Sequence, residues 1–210
     1  MSPAQPTSMT IRRATGDDAV PLLRVFVNAF LDGPVADWLI EDRTERGFVY
    51  ERYFRLMLRE AFAGGWVDTT ADLSGAAIWY RRPATPVDPP PGYKDDMAYA
   101  TGRHHTRFGW LADLFDKRRP RIEHLYLAFI AVAPEHQGKG VGTALLAHGH
   151  AHMDEVGLPG YLEASNENNM RLYERLGWQP SPPMFLPKAG PPCWPMWRSQ
   201  PDSAAPDVTP

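Results

Sequence analysis

The chain has very few cysteines, little excess of charge and no long apolar run. Cys193 is the one cysteine among 210 residues, so a disulfide framework is excluded and a reducing compartment is expected. The formal net charge of −3 at pH 7 gives no field that would attract nucleic acid. No apolar run reaches membrane-spanning length, and the beginning of the chain lacks a signal-peptide pattern. These features predict a cytoplasmic protein that binds neither nucleic acid nor membrane.

The composition favours one folded domain. A chain of this length with 43% hydrophobic residues can bury one substantial core. We expect a single domain over residues 9–199 and flexible termini at 1–8 and 200–210, which are polar and contain proline. The prolines between 83 and 91 predict an extended loop.

A glycine-rich turn stands at the centre of the sequence. The apolar run 125–132, typical of a buried strand, leads into Gln137-Gly-Lys-Gly-Val-Gly142, which begins a predicted helix. Such a turn offers backbone N–H groups to an anion. A P-loop has a serine or threonine after its lysine, but Lys139 is followed by Gly140. The dinucleotide-binding fingerprint has a third glycine at the position where this chain has Thr143. Taken alone, the turn fits a phosphate site and an ordinary structural turn equally well.

A second segment lies downstream of this turn. Asn166 precedes Tyr173 by seven residues, and the run 172–178 is Leu-Tyr-Glu-Arg-Leu-Gly-Trp. Together the two segments resemble the GNAT acyltransferase superfamily, whose first signature is Gln/Arg-x-x-Gly-x-Gly/Ala. Within this superfamily, residues 125–178 resemble the puromycin N-acetyltransferase type, whereas segment 82–121 departs from that type.

The resemblance implies an α/β (α+β) GNAT fold, in which helices flank a central mixed sheet that splays between its two middle parallel strands. The residue patterns agree with a mixed α/β order. They predict strands near 10–14, 66–68, 76–80, 125–132, 161–164 and 193–198. They predict helices near 18–30, 44–63, 94–117, 140–156 and 167–176.

The resemblance also implies acetyl-CoA as cofactor. Its diphosphate is expected on the turn and the first residues of the helix: Gln137, Gly138, Lys139, Gly140, Val141, Gly142 and Thr143. The pantetheine arm is expected along the backbone of Ile130, Ala131 and Val132, with an oxyanion-binding N–H near Phe129 or Ile130. Asn166, Asn169 and Tyr173 are expected at the cofactor, although Asn166 is equally suited to cap a helix.

Two side chains are candidates for proton transfer. The resemblance makes Tyr173 the acid that protonates the leaving thiolate, whereas in isolation it would be a packing aromatic residue. Glu163 lies in an apolar strand, where burial would raise its pKa toward a useful range, so it is the first candidate for the base. His124 is the next candidate, because the signature strand lacks the glutamate that many relatives carry. His104 and His105 could belong to the substrate wall.

Aromatic residues beside one acid suggest the acceptor pocket, although ordinary core packing explains most of them. The substrate candidates are Phe30, Asp32, Trp38, Tyr80 and Tyr126, and less directly Tyr99, Trp110 and Phe185. No metal site is predicted: His148 and His152 share a helical face, but nothing completes a ligand set with them. Exposed helix histidines are the favoured interpretation of these residues and of His150. For Cys193 packing is favoured over an acyl-carrying nucleophile.

The sequence therefore predicts an acetyl-CoA-dependent N-acetyltransferase of the EC 2.3.1 class. It would acetylate the amine of a small antibiotic or metabolite, for example a puromycin-like aminoacyl compound, by direct attack in a ternary complex. The alternatives are a protein lysine or N-terminal acetyltransferase and a non-catalytic acyl-CoA-binding regulatory module. A monomer and a homodimer both remain open.

Overall fold

The computed structural model describes residues 9–199; the predictions for 1–8 and 200–210 lie outside them. The strands are β1 (Ile11–Arg13), β2 (Trp66–Thr70), β3 (Gly75–Arg82), β4 (His124–Val132), β5 (Gly160–Ala164), β6 (Gln179–Pro180), β7 (Met184–Phe185) and β8 (Pro192–Arg198). The α-helices are α1 (Ala19–Phe30), α2 (Pro34–Leu39), α3 (Arg43–Gly64), α4 (Tyr93–Thr101), α5 (His105–Arg118), α6 (Val141–Val156) and α7 (Glu167–Arg175).

Two helical regions differ from the prediction. No helix was predicted between 30 and 44, but Gly33 adopts φ 127° and Pro34 then begins the short α2, because proline is pre-organised for the first helical position. The helix predicted over 94–117 is divided into α4 and α5, since Gly102 adopts φ 53° and ψ −132°, outside the helical region. The strands β6 and β7 were not predicted, because two residues are too few for an alternating pattern.

The strands form one mixed sheet in the order β1-β2-β3-β4-β5-β8-β6, with β7 paired to β8. Among the strands of residues 9–199, only β4 and β5 are parallel neighbours. Ala76 and Ile78 of β3 join the core beneath α1 and α3, whereas the alternate residues Ala77 and Trp79 join the core beneath α6. The sheet therefore lies between two helical layers. No helix among residues 9–199 is long and apolar enough to cross a membrane.

A β-bulge lies in β4 near the middle of the sheet. The ladder between β3 and β4 shifts register between Ile78 and Trp79, which leaves Ala128 without a partner on β3. The adjacent residues Ala128 and Phe129 consequently both pack toward α1 and α3. The alternation of β4 is thus reversed at the bulge, and the last part of the strand presents different residues to each face.

The sheet opens at the same level. β4 pairs with β5 only through Leu125, Tyr126 and Leu127, although β4 continues to Val132 and β5 to Ala164. Beyond Leu127, β4 keeps its partner β3 and β5 keeps its partner β8. A gap therefore separates the two central parallel strands, as the splayed sheet predicts.

Candidate active site

The glycine turn forms an N–H-rich start to α6. Gly138 and Gly140 have φ 71° and 84°, conformations that side-chain-bearing residues rarely adopt. A Cβ atom at either position would meet nothing within 4 Å, so the space outside the turn is open. Gly140 is the N-cap and supplies no side-chain hydrogen bond. The first intrahelical bond is donated by Ala144, so the N–H groups at the helix start lack intrahelical acceptors.

The chain ties this turn to the end of β4. The side chain of Gln137 donates a hydrogen bond from Nε2 to the carbonyl oxygen of Val132, at 3.2 Å. Lys139 is exposed. The positive end of α6 and the unpaired edge of β4 are therefore held side by side, which suits a ligand that has an anionic part and an extended part.

A cleft of about 950 Å³, including its open mouth, lies where β4 and β5 separate. It is lined by α1, α2, α3, α5 and α7 together with both strands. Eight residues predicted for the site line it: Phe30, Asp32, Phe129, Ile130, Glu163, Asn166, Asn169 and Tyr173. The lining is otherwise mainly aromatic and aliphatic.

Glu163 carries its carboxyl group from β5 into this cleft. Its Oε2 accepts a hydrogen bond of 2.8 Å from the hydroxyl of Tyr126, whereas its buried Oε1 has no hydrogen-bond partner. Burial raises the pKa of Glu163 to about 7, and the tyrosine hydrogen bond and the charge of Arg119 oppose that rise. A carboxyl group of this pKa changes its protonation state near neutral pH.

Tyr173 enters the same cleft from α7. Its side chain is buried, with 6% of the residue exposed, and its hydroxyl makes no hydrogen bond to residues 9–199. Burial raises the pKa of Tyr173 above its ordinary value, so the phenol keeps its proton at neutral pH. Asn166 caps α7: its Oδ1 accepts a hydrogen bond from the N–H of Asn169 at 2.8 Å.

Three of the residues predicted for the acceptor do not line the cleft. Trp38 packs against Trp110 and donates from Nε1 to the carbonyl oxygen of Pro187. Tyr80 lies under the guanidinium of Arg82. Tyr126 is buried behind Glu163. Of the less direct candidates, Trp110 packs as described, and Tyr99 and Phe185 are exposed outside the cleft. Aromatic content alone did not separate cleft residues from core and surface residues.

The histidines lie away from this cleft. His124 is buried and contacts the carbonyl oxygen of Ile122 through Nδ1 at 2.7 Å, and burial lowers its pKa. His104 pairs with Glu45, and His105 contacts Thr101. None of the three lines the cleft.

The histidines of α6 were expected to be exposed, but only His148 of the three is; His150 and His152 are partly buried. His150 accepts a hydrogen bond of 2.8 Å from Nε1 of Trp178, and burial lowers its pKa to about 4. Among residues 9–199, no group of three or more His, Cys, Asp or Glu side chains could hold a metal ion. Burial raises the pKa of the Cys193 thiol to about 12, which disfavours a nucleophilic thiolate.

Several cleft residues were missed in the sequence. Tyr50, Tyr53 and Phe54 of α3 line the cleft, as do Phe108 and Phe115 of α5. Their helical spacing is a recognisable signal for an apolar helix face, but this signal does not distinguish a face that lines a cavity from one that fills a core.

Comparison with known proteins identifies the chain. The model of the acetyltransferase (GNAT) family matches residues 36–178, more than half of the sequence. The chain belongs to the acetyltransferase (GNAT) family. The GNAT fold expected from the sequence, with its splayed mixed sheet, is confirmed.

One curated relative of this GNAT chain matches less than half of it. A mycothiol acetyltransferase of Propionibacterium freudenreichii is 39% identical over 88 residues, which are 40% of this chain and 26% of that protein. This chain thus spans about a quarter of the length of that curated relative.

Solved structures match along nearly the whole chain. One from Corynebacterium glutamicum, described as histone acetyltransferase HPA2 and related acetyltransferase, has a TM-score of 0.70 and 28% identity, and covers 96% of this chain and 99% of its own. A PaiA N-acetyltransferase from Thermoplasma acidophilum in complex with coenzyme A has a TM-score of 0.58 and 13% identity, and covers 92% and 99%.

Proposed function

We propose that this GNAT chain transfers the acetyl group of acetyl-CoA to the amine of a small molecule. Direct attack in a ternary complex is the proposed mechanism. The observation that carries the proposal is that Glu163 from β5 and Tyr173 from α7 line one cleft, at the place where β4 and β5 separate. A buried carboxyl group and a protonated phenol in one cavity can serve as the base and the acid of amine acylation.

The residues of the chain fit coenzyme A. The free N–H groups between Gly138 and Thr143 and the dipole of α6 would bind the diphosphate, in the space that the glycines leave open. The β4 edge at 130–132 would pair with the extended arm. Bound acetyl-CoA would supply the activated acetyl thioester. The backbone N–H near Phe129 or Ile130 would stabilise negative charge on the carbonyl oxygen.

Glu163 is the proposed base. Its unpaired Oε1 is able to accept the proton that the amine loses, directly or through water. Since only the carboxylate can accept a proton and its pKa is about 7, we expect kcat/KM to rise with pH through about 7. Tyr173 is the proposed acid, and its hydroxyl would donate a proton to the departing sulfur.

The acceptor is proposed to be a small amine with an apolar or aromatic body. The cleft that Glu163 lines also has an aromatic wall, which consists of Phe30, Tyr53, Phe108 and Phe129. Asp32 at the same cleft is already neutralised by Arg43, with Nε to Oδ1 at 2.8 Å. A puromycin-like aminoacyl compound fits this environment, whereas a polycationic acceptor would find few unpaired carboxylates.

The test is thiol release from acetyl-CoA in the presence of puromycin, other aminoacyl nucleosides, arylalkylamines, polyamines, aminoglycosides and a lysine peptide. We expect turnover with an aromatic amine, loss of about 100-fold or more in kcat for Glu163→Gln, and about 10-fold or more for Tyr173→Phe. Turnover with the lysine peptide alone would favour a protein acetyltransferase.

A binding assay distinguishes the regulatory alternative. Both variants should keep the affinity of the wild type for coenzyme A, because neither change alters the turn that binds the diphosphate. Coenzyme A binding without turnover of any acceptor would support a regulatory module and contradict the proposed transferase.

A further inference from the structure

A polar cluster adjoins Glu163, and none of its other members lines the cleft. Its centre is Tyr126, of which 7% is exposed and whose hydroxyl donates to Oε2 of Glu163 at 2.8 Å. Tyr126 was expected to contact the acceptor, but its ring faces the interior and stacks on Tyr161 with centroids 6.1 Å apart. The residue therefore contacts the proposed base instead of the substrate.

Two arginines hold the ring of Tyr126. The guanidinium carbon of Arg119 lies 5.4 Å from the ring centroid and that of Arg82 lies 5.6 Å from it. Arg119 is anchored by Asp116, with Nη1 to Oδ1 at 2.6 Å. Arg82 makes no ion pair with a carboxylate among residues 9–199 and also lies 4.6 Å from the ring of Tyr80. Cation–π contacts of this kind fix an aromatic ring, more strongly where water is excluded.

We infer that Tyr126 is a positioning residue for Glu163, and that Arg82 and Arg119 hold it in that role. The hydrogen bond occupies Oε2 and leaves Oε1 as the oxygen that is free to accept a proton from the amine. It also stabilises the carboxylate form, since a donor favours the charged state of a carboxyl group. This inference rests on the proposed role of Glu163 as base.

The other groups around Glu163 are compatible with this role. Tyr161, the neighbour on β5, and the charge of Arg119 also lower the pKa of Glu163, whereas Asp116 raises it. Cys193 on β8 stays a neutral thiol. Tyr173 faces the cleft from α7 and is protonated. Against the desolvation that raises the pKa, Tyr126 supplies a hydrogen bond of 2.8 Å to the carboxylate.

The experiment titrates the side-chain carboxyl carbon of Glu163 in the full chain by 13C NMR, with the signal assigned by its loss in Glu163→Gln. The wild type should titrate near 7. Tyr126→Phe removes one hydroxyl and should raise that pKa by about one unit, the size of one hydrogen bond to a charged group. Arg119→Gln removes a charge that itself lowers the pKa of Glu163, so it is made both in the wild type and in Tyr126→Phe. If Arg119 also acts through Tyr126, the rise in pKa should be larger in the wild type than in Tyr126→Phe.

Tyr93→Phe is the matched control, because it removes the hydroxyl of a half-buried tyrosine in α4 that does not contact Glu163. Its titration should equal that of the wild type. The activity of Tyr126→Phe on the responsive acceptor should fall about tenfold at pH 6 and recover above pH 9, which a purely structural defect would not do.

The outcomes distinguish the positioning role of Tyr126 from the role of Glu163 as base. An unchanged pKa of Glu163 in Tyr126→Phe would overturn the positioning role and leave the base assignment intact. Equal rises from Arg119→Gln in the wild type and in Tyr126→Phe would overturn the part given to Arg119. Full activity of Glu163→Gln would overturn the base assignment, and the role of Tyr126 with it.

Discussion

The two sides of the site are built from different parts of the chain. On the cofactor side, the turn at 137–142, the edge of β4 and the start of α6 present backbone groups. On the acceptor side, side chains from α1, α2, α3 and α5 enclose the cleft. A site built from backbone requires glycines at fixed positions, whereas a cavity built from side chains can be lined by many combinations of aromatic and aliphatic residues.

The difference extends to charge. The turn offers partial positive charge from N–H groups and needs no buried ionised side chain. The cleft contains Glu163, whose pKa depends on burial and on Tyr126. Substitutions should therefore act on the cofactor side through the backbone and on the acceptor side through side-chain contacts.

The largest expected effect in this comparison is that of Gly140→Asp. The new carboxylate would stand at the N-cap of α6, where the diphosphate of coenzyme A is proposed to bind. Juxtaposed like charges cost several kcal/mol, so we expect Kd for coenzyme A to rise by at least about 100-fold, or about 3 kcal/mol. Isothermal titration calorimetry measures this directly.

Gly140→Asn is the control for that substitution. Asparagine has the same shape as aspartate and tolerates the left-handed conformation of φ 84°, so it should bind within about tenfold of the wild type. Equal losses in both variants would show that backbone conformation, not charge, sets the affinity. No loss in either would contradict the assignment of the turn.

The second prediction concerns the mouth of the acceptor cleft. Arg46 of α3 is 1% exposed, and it donates to the carbonyl oxygens of Leu31 and Ile40 and to Asp37. It therefore holds both ends of α2, which lines the cleft. In Arg46→Met the two carbonyl oxygens lose a charged donor, and we expect a loss of about 2–4 kcal/mol in the free energy of unfolding.

Arg46→Met should impair the use of the acceptor more than the use of acetyl-CoA. KM for the acceptor should rise more than KM for acetyl-CoA, because α2 lines the acceptor cleft and the glycine turn does not. Arg43→Met is the matched control, since Arg43 lies on the same helix but pairs with Asp32 at the exposed surface and should change stability little. Equal destabilisation by both would argue that burial of Arg46 is unimportant.

The same contrast explains how much of the structure the sequence predicts. The GNAT motifs and the apolar run of β4 indicated the family and the sheet, and the gap followed from them. The acceptor wall was predicted less well: Phe30 and Asp32 line the cleft, whereas Trp38 and Tyr80 do not. An aromatic residue on an amphipathic helix looks alike in sequence whether it lines a cavity or fills a core.

The bulge and the cluster behind Glu163 could not be predicted for a different reason. Ala128 carries no local signal for a bulge, because its position follows from the register between β3 and β4. The contacts of Tyr126 join β3, β4, β5 and the end of α5, so they depend on long-range packing. Local patterns predict elements, but not which side chains meet across them.

The smallest predicted effect concerns the substitution of glycine by alanine within a helix. This substitution should change the free energy of unfolding in opposite directions on the cofactor side and on the acceptor side. In α6, a Cβ at Gly149 would lie 2.3 Å from Cζ2 of the buried Trp79, whereas in α5 a Cβ at Gly109 would meet nothing within 4 Å. Alanine gains about 1 kcal/mol over glycine in a helix, so Gly109→Ala should stabilise by up to that amount. Overpacking costs about 1–3 kcal/mol, so Gly149→Ala should be destabilised by up to about 2 kcal/mol after the helical gain. Urea unfolding of both variants measures the difference.

Stabilisation by both would mean that α6 can shift away from the sheet, and the close packing of the cofactor side would then not hold the turn rigidly in place.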